Sequence, residues 1–305
     1  MKLLKVVLKS SLVMLVSAFI LTGCTEDAVK TSSSAVTTSK YTTISEINAD
    51  AKALIEKCQE NMNRLSSFKY VFQSGSSNVD ASNQNYSYTY QETVTVNNLD
   101  DKPVVHRVES DKVVDNGASS TNGVEGYLGY ENGVPYLYYK DDEGWLKTSY
   151  GASDSTQLGS SLILDINSEV ENVVRAATAI EIIGSKTING VDCNVVQADI
   201  PVANVDKLYG IALDDGTDEE NAAPKEGTIV ALMCIGKNDN LLYQFTVDET
   251  AYYNAYSDEA DHVQTTEGKT QYALLQHGDN VDSVSVSSDA IASTDVNATD
   301  IASED

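Results

Sequence analysis

His106, His262 and His277 are the chain's whole supply of imidazole, and they stand far apart in sequence. A general base or a zinc site would need them to meet acids, or one another, in the fold. His106 alternates with Val104 and Val108, the pattern of a histidine lodged in a strand and satisfied there. Ser66-Ser67-Phe68-Lys69 has the S-x-x-K spacing with which a lysine activates a serine. Here it closes an apolar helical pattern instead of opening one, and neither S-D-N nor K-T-G follows. Gly268-Lys269-Thr270 lacks the upstream glycine of a phosphate-binding loop. Asp214-Asp215 and Asp218-Glu219-Glu220 crowd acids without the alternating ligand spacing of a calcium loop. G-x-S-x-G, H-E-x-x-H and C-x-x-C do not occur. The pattern points away from an enzyme, and it implies neither a cofactor nor a metal.

The residue with the clearest chemistry is Cys24. Lys2, Lys5 and Lys9 form a cationic start, and the apolar run Leu12 to Leu21 is shorter than the roughly 20 residues that span a bilayer. Leu21-Thr22-Gly23-Cys24 follows and resembles the lipobox of bacterial lipoproteins. That resemblance implies a signal peptide over 1–23, diacylglyceryl transfer to the Cys24 thiol, cleavage after Gly23 and acylation (such as palmitate) of the new N-terminus. The expected product is extracytoplasmic, held on the outer face of the cell membrane by acyl chains without crossing it. Residues 24–44 are rich in Ser and Thr and read as a flexible tether.

The formal net charge is −26, from 20 basic and 46 acidic residues. Removing residues 1–23 takes away three lysines and no acid, leaving 17 against 46 and a charge of −29. Such a surface repels nucleic acid and anionic headgroups. Much of the acid lies in the insert at 210–226 and in residues 288–305, expected to be solvated loop and disordered tail.

Tyrosine outnumbers phenylalanine 17 to 4. Tyr86, Tyr88 and Tyr90 occupy alternate positions in phase with Val94 and Val96, so one strand face carries all three phenols. A phenol packs its ring on apolar neighbours while its hydroxyl keeps water or a partner, which suits a half-wet surface. With Tyr127, Tyr138 and Trp145 these are the candidate ligand contacts, for a lipid or other hydrophobic ligand. The competing reading is a sheet face covered by helices, open to solvent, or docked on an envelope protein.

The elements that must position these residues begin with a helix. Ile47, Ala51, Leu54, Ile55, Cys58, Met62 and Leu65 recur at helical spacing, with Thr43 and Glu46, or Ser45, to cap the start. Period-two runs then predict strands at 68–74, 86–97, 104–114, 124–131 and 135–140. A second helix is expected over about 165–179, with Ser168 and Glu171 as a capping box. Strands resume at 180–188, 191–200, 228–235 and 241–247, with shorter ones ending near 281–287. Of the cysteines left after acylation of Cys24, Cys58 falls in the helix stripe as a small hydrophobe. Cys193 and Cys234 fall nearly opposite if 191–200 pairs antiparallel with 228–235. A cross-strand disulfide and two buried thiols are both compatible with that pairing.

The helix ending "MNRLSSFKYVFQ", the hairpin "GYLGYENGVPYLYYKDDEGWLKTS" and the pair "GSKTINGVDCNVVQADI" and "ALMCIGKNDNLLYQFTVD" follow the lipobox in order. Over about residues 45–287 this resembles the bacterial lipoprotein-carrier superfamily of the LolA, LolB and LppX type, particularly its Gram-positive lipoprotein relatives. The resemblance implies an α+β fold: one domain, 45–287, with a large curved antiparallel sheet, a half-barrel. The N-terminal helix and a second helical segment would pack on its concave side. It further implies a space between sheet and helices for acyl chains or other lipophilic molecules, and no catalytic residue. The insert at 210–226 and the wealth of tyrosine depart from that pattern.

Overall fold

The computed structural model describes residues 41–80, 82–141, 143–149, 166–209, 226–256 and 264–296. Cys24, His262, Tyr150 and nearly all of the 210–226 insert lie outside the described residues.

A twelve-stranded open sheet, almost entirely antiparallel, forms the body. Helix α1 (Ala49–Met62) leads into β1 (Phe68–Val79), β2 (Asn85–Asn97), β3 (Val104–Asp115), β4 (Ala118–Glu131), β5 (Val134–Asp141) and β6 (Gly144–Ser149). Helix α2 (Ile166–Ala176) precedes β7 (Ala179–Ile188) and β8 (Val191–Pro201), and the short α3 (Val205–Tyr209) follows. Then come β9 (Thr228–Gly236), β10 (Leu242–Asp248), α4 (Thr250–Tyr256), β11 (Gln264–His277), α5 (Ser288–Ile291) and β12 (Thr294–Asp295). The order across the sheet is β12-β6-β5-β4-β3-β2-β1-β11-β10-β9-β8-β7, so the two halves of the chain are joined by β1 pairing with β11. The expected α+β class and large antiparallel sheet are therefore present.

Turn chemistry sets the register. Asn116-Gly117, Asn132-Gly133 and Asn189-Gly190 all have positive φ at both residues, as a two-residue hairpin matching the right-handed strand twist requires. They join β3 to β4, β4 to β5 and β7 to β8. Helix α1 is capped by Asn48, whose side chain accepts from the Ala51 N–H at 3.0 Å, and not by the predicted Thr43, Ser45 or Glu46. Ser168, predicted as a cap, lies inside α2.

One face of the sheet is the apolar inner face. Val94, Val96, Val105, Leu128, Ile200, Met233 and Leu274 are fully enclosed there, in one cluster with Ala51, Ile55 and Cys58 of α1 and Val170 and Val173 of α2. Helix α1 packs on β7 and β9, α2 on β8, and α4 on β9 and β11. Strand β9 buries side chains on both of its faces, which is why 228–235 reads as a near-continuous apolar run.

The first and last described stretches cross the other, outer face. The Tyr41 hydroxyl reaches Asp248 Oδ2 on β10 at 2.5 Å, and Gln197 Nε2 on β8 donates to the Thr42 carbonyl at 2.7 Å. The Ser45 N–H donates to Glu181 on β7. The chain then rounds the sheet edge through a parallel bridge from Ile47 to Ile180 and enters α1 on the inner face. At the far side, residues 278–296 run back over β1, β2 and β4 to β6. Val284 N–H donates to Asn97 Oδ1 at 2.8 Å, Ala290 is buried, and β12 pairs parallel with β6.

Three expectations are corrected here. Residues 281–287 form no strand; they are an extended strap. The tail does not begin at 288, because Ser288–Ile291 is a capped helix whose Ala290 is buried and Thr294–Asp295 completes the sheet edge. Thr250–Tyr256, in the stretch after 247 where only shorter strands were expected, is helical.

Candidate functional site

The three alternating tyrosines of β2 sit in register with both neighbouring strands. Tyr86 lies between Asn78 and Asp115, Tyr88 between Ser76 and Val113, and Tyr90 between Ser74 and Asp111. The next rows inward are Phe72–Glu92–Glu109 and Tyr70–Val94–Arg107. All belong to the inner face, because Val94 and Val96 continue the same phase into the core. Exposure falls along the strand: Tyr86 is 39% exposed, Tyr88 and Tyr90 are half-buried, and Glu92 is buried.

Charge enters the inner face at the Glu92 row. Arg107 Nη2 lies 2.7 Å from Glu92 Oε2, and its Nε lies 2.8 Å from Glu109 Oε1. Tyr90 ties the three together, donating toward Glu92 Oε2 or Glu109 Oε2 (2.9 and 3.0 Å) and accepting from Arg107 Nη2 at 3.0 Å. Tyr70 donates to the other Glu92 oxygen at 3.3 Å. Burial raises the Glu92 carboxyl above the usual carboxylate range, against the opposing pull of the Arg107 guanidinium. Burial likewise pushes the Tyr90 phenol up, with Glu92 adding to the effect, so Tyr90 stays protonated. This is a structural hinge between dry core and wet strand ends: a buried ion pair whose lone pairs are taken up by phenols.

Tyr127, Tyr138 and Trp145 do not join that row. Their strand phase places them on the outer face of β4, β5 and β6, where residues 284–290 cover them. Tyr127 stacks on His106 with ring centroids 4.4 Å apart, and Tyr138 donates to Glu131, which also pairs with Lys147. The six candidate contacts thus form two groups on opposite faces, one open at its end and one under a strap.

Cys193 and Cys234 lie on paired strands, as expected, but two residues out of register: Cys193 faces Gly236 and Cys234 faces Val195. Both are free and buried, as is Cys58. Burial pushes Cys58 up to about 12 and Cys193 to about 11, so the thiols are inert. His106 engages Glu125 on the outer face at 3.0 Å, and His277 shares a 3.0 Å hydrogen bond with Tyr243. Strands β1 and β2 stand between these two histidines, a separation of about 14 Å from strand spacing alone. Among the described residues no cluster of His, Cys, Asp and Glu could hold a metal.

Two open notches, ≈ 210 and ≈ 200 Å³, flank Tyr86 at the strand tips. Each is below the roughly 300–1,000 Å³ of sites that enclose small-molecule ligands.

No protein-family profile and no curated protein sequence matches the chain. Solved structures are similar to it. LprF from Mycobacterium bovis is 15% identical over 79% of this chain and 98% of its own, with a TM-score of 0.41. The lipoprotein LppX of Mycobacterium tuberculosis is 14% identical over 76% and 97%, at 0.39. A LolA superfamily protein from Nitrosomonas europaea is 10% identical over 77% and 94%, at 0.21. LppX and the LolA superfamily, the kinds of protein that the sequence resembles, are thus among them. The architecture of this chain rests on its own strand order and register.

The site residues that sequence reading missed are Glu92, Arg107 and Glu109. Their signal was present: each holds an inward position in a strand whose neighbours in phase are Tyr90, Val94 and Val105. Charged residues in the buried phase of a strand are rarely there without partners.

Proposed function

We propose that the protein is an exported lipoprotein, acylated at Cys24, that binds an amphiphilic ligand between its helices and the inner face of its sheet. Residues 1–23 act as signal peptide and 24–44 as tether, holding the domain from residue 45 onward on the outer face of the cell membrane. The observation that carries the binding role is the gradient along β1 to β3. The same strands pass from an enclosed apolar surface, through the Glu92–Arg107–Tyr90 network, to open tyrosines. An apolar chain lying under the helices would leave its polar end at that network, where donors and acceptors are already concentrated. The acylation is tested by feeding an alkyne-bearing fatty acid to cells and following its incorporation; a Cys24→Ser protein should take up none. The ligand is tested by native mass spectrometry and organic extraction of that Cys24→Ser protein, where a retained small amphiphile is expected. An empty protein whose core is packed as described would refute the ligand role.

A second reading, a docking or envelope-sensing module without ligand space, draws on the filling of the interior. Val94, Val96, Val105 and Leu128 have no exposed surface at all. In-cell crosslinking that yields one discrete protein partner, with no extractable amphiphile, would favour it.

A further inference from the structure

The tip of β1, β2 and β3 lies beyond the inner-face network, and its chemistry differs from that of an acyl-chain site. We propose that Tyr86 and its neighbours form a binding site for a neutral glycan, seated on the tyrosine ring in the notch of ≈ 200 Å³ lined by Asn78, Asp80, Gln84, Asn85, Tyr86 and Asp115.

The lining decides the ligand class. Apart from Tyr86 every lining side chain is an amide or a carboxylate. An apolar chain would find one aromatic ring, Tyr86, to pack on and would strip water from the five amide and carboxylate groups around it. An anion meets Asp80 and Asp115 and no cation, on a chain of net charge −26. The described residues offer no cluster of acids fit for a metal. A neutral sugar fits both parts of the site. The C–H face of a pyranose ring packs on an exposed aromatic ring, while its hydroxyls, donor and acceptor at once, pair with amides and carboxylates at the rim.

The polar groups are held in place before any ligand arrives. Asp80 Oδ1 accepts from the Ser82 and Gln84 backbone N–H groups, each at 2.8 Å, fixing the β1–β2 turn. Asn116 bridges the two turns: its side chain donates to Gln84 Oε1 at 2.6 Å and to Asp115 Oδ1 at 3.1 Å, and its backbone N–H to the Asn85 carbonyl. These bonds use one oxygen of each carboxylate and leave the other facing no described donor. The Tyr86 and Tyr88 hydroxyls form no hydrogen bond to a described residue, in contrast to Tyr90, so the track runs from free phenols to committed ones. Along β2, Tyr86 and Tyr88 stand about 7 Å apart on one face, which suits a linear chain of sugars laid along the strand. The site is separate from the space between sheet and helices and does not depend on a ligand there.

The test uses the full acylated chain in neutral detergent and saturation-transfer NMR with four probes: chitotetraose, cellotetraose, maltotetraose and choline. At least one neutral oligosaccharide should bind, with Tyr86→Ala and Asp115→Ala weakening it tenfold or more and Tyr86→Phe within about twofold. Both changed residues are exposed, and an unchanged urea midpoint would confirm that the fold survives. Three results would overturn the proposal: no oligosaccharide binding, binding that survives Tyr86→Ala, or choline binding in place of sugar.

Discussion

Glu249 carries a charge that the fold opposes. It sits between β10 and α4, 5% exposed, where its backbone N–H bonds the Gly268 carbonyl and its carbonyl accepts from the Tyr253 N–H. Thr270 Oγ1 donates to Oε2 at 3.1 Å, and Glu169 of α2 adds a like charge. Burial pushes the carboxyl from the ordinary 4.5 to about 7. Above pH 4.5 the unfolded chain releases this proton while the folded chain keeps it, so the contribution to stability falls as pH rises and is fully lost above about pH 7. The gap of about 2.5 pH units, at about 1.4 kcal/mol each, amounts to about 3.5 kcal/mol. Glu249→Gln removes the charge and keeps an oxygen for Thr270. In urea unfolding of the Cys24→Ser protein, the variant should exceed its parent by about 1 kcal/mol at pH 5, rising to about 3.5 kcal/mol at pH 8. Taking the difference between the two proteins cancels the titration of the other acids. A variant less stable than its parent at pH 8, or an advantage that does not grow with pH, would refute the reasoning.

Arg107→Met should cost about 3 kcal/mol, because Glu92 is left buried without its cation, and Glu92→Gln added to it should restore most of the loss; matching urea midpoints for single variant and parent would contradict this. Gly129→Ala places a Cβ on Val286 Cγ2 of the C-terminal strap and should cost about 1–3 kcal/mol. Trp145, the sole tryptophan, packs in the cluster under that strap, so the same variant should make its fluorescence more open to acrylamide quenching. The three buried thiols of the Cys24→Ser protein should ignore Ellman's reagent at pH 8 and react in full in guanidinium, whereas a disulfide between Cys193 and Cys234 would leave one to titrate.

The elements most legible in the sequence are those whose burial alternates or recurs cleanly. β2 and helix α1 fall within a few residues of their expected places, and the pairing of β8 with β9 was readable despite the insert between them. The first half of β4 was hidden because Ala118 to Gly123 is Ala, Ser, Thr, Asn and Gly, exposed throughout; its strand form comes from the Asn116-Gly117 turn and pairing with β3. Helix α4 was missed because Tyr252 and Tyr253 favour strands locally, and packing on β11 overrides that preference. For the site, period two placed Tyr86, Tyr88 and Tyr90 together, but Tyr127, Tyr138 and Trp145 needed cross-strand register to be sent to the other face. The strap over them could not be read from residues 281–291, whose brief Val284–Ser287 alternation suggests a strand instead, because its place is fixed by single contacts such as Asn97 to Val284 and Val286 to Gly129.

The central claim, that a ligand lies between helices and sheet, is tested most directly by photocrosslinking in living cells from two positions. Phe72 is half-buried on the inner face beside Tyr90, and Val108 is 41% exposed on the outer face. With benzoylphenylalanine at each position in turn, the account predicts that position 72 captures a small amphiphile, seen as a discrete mass on the intact protein, and that position 108 captures none. Capture of a protein partner at 108 with no small-molecule adduct at 72 would contradict it.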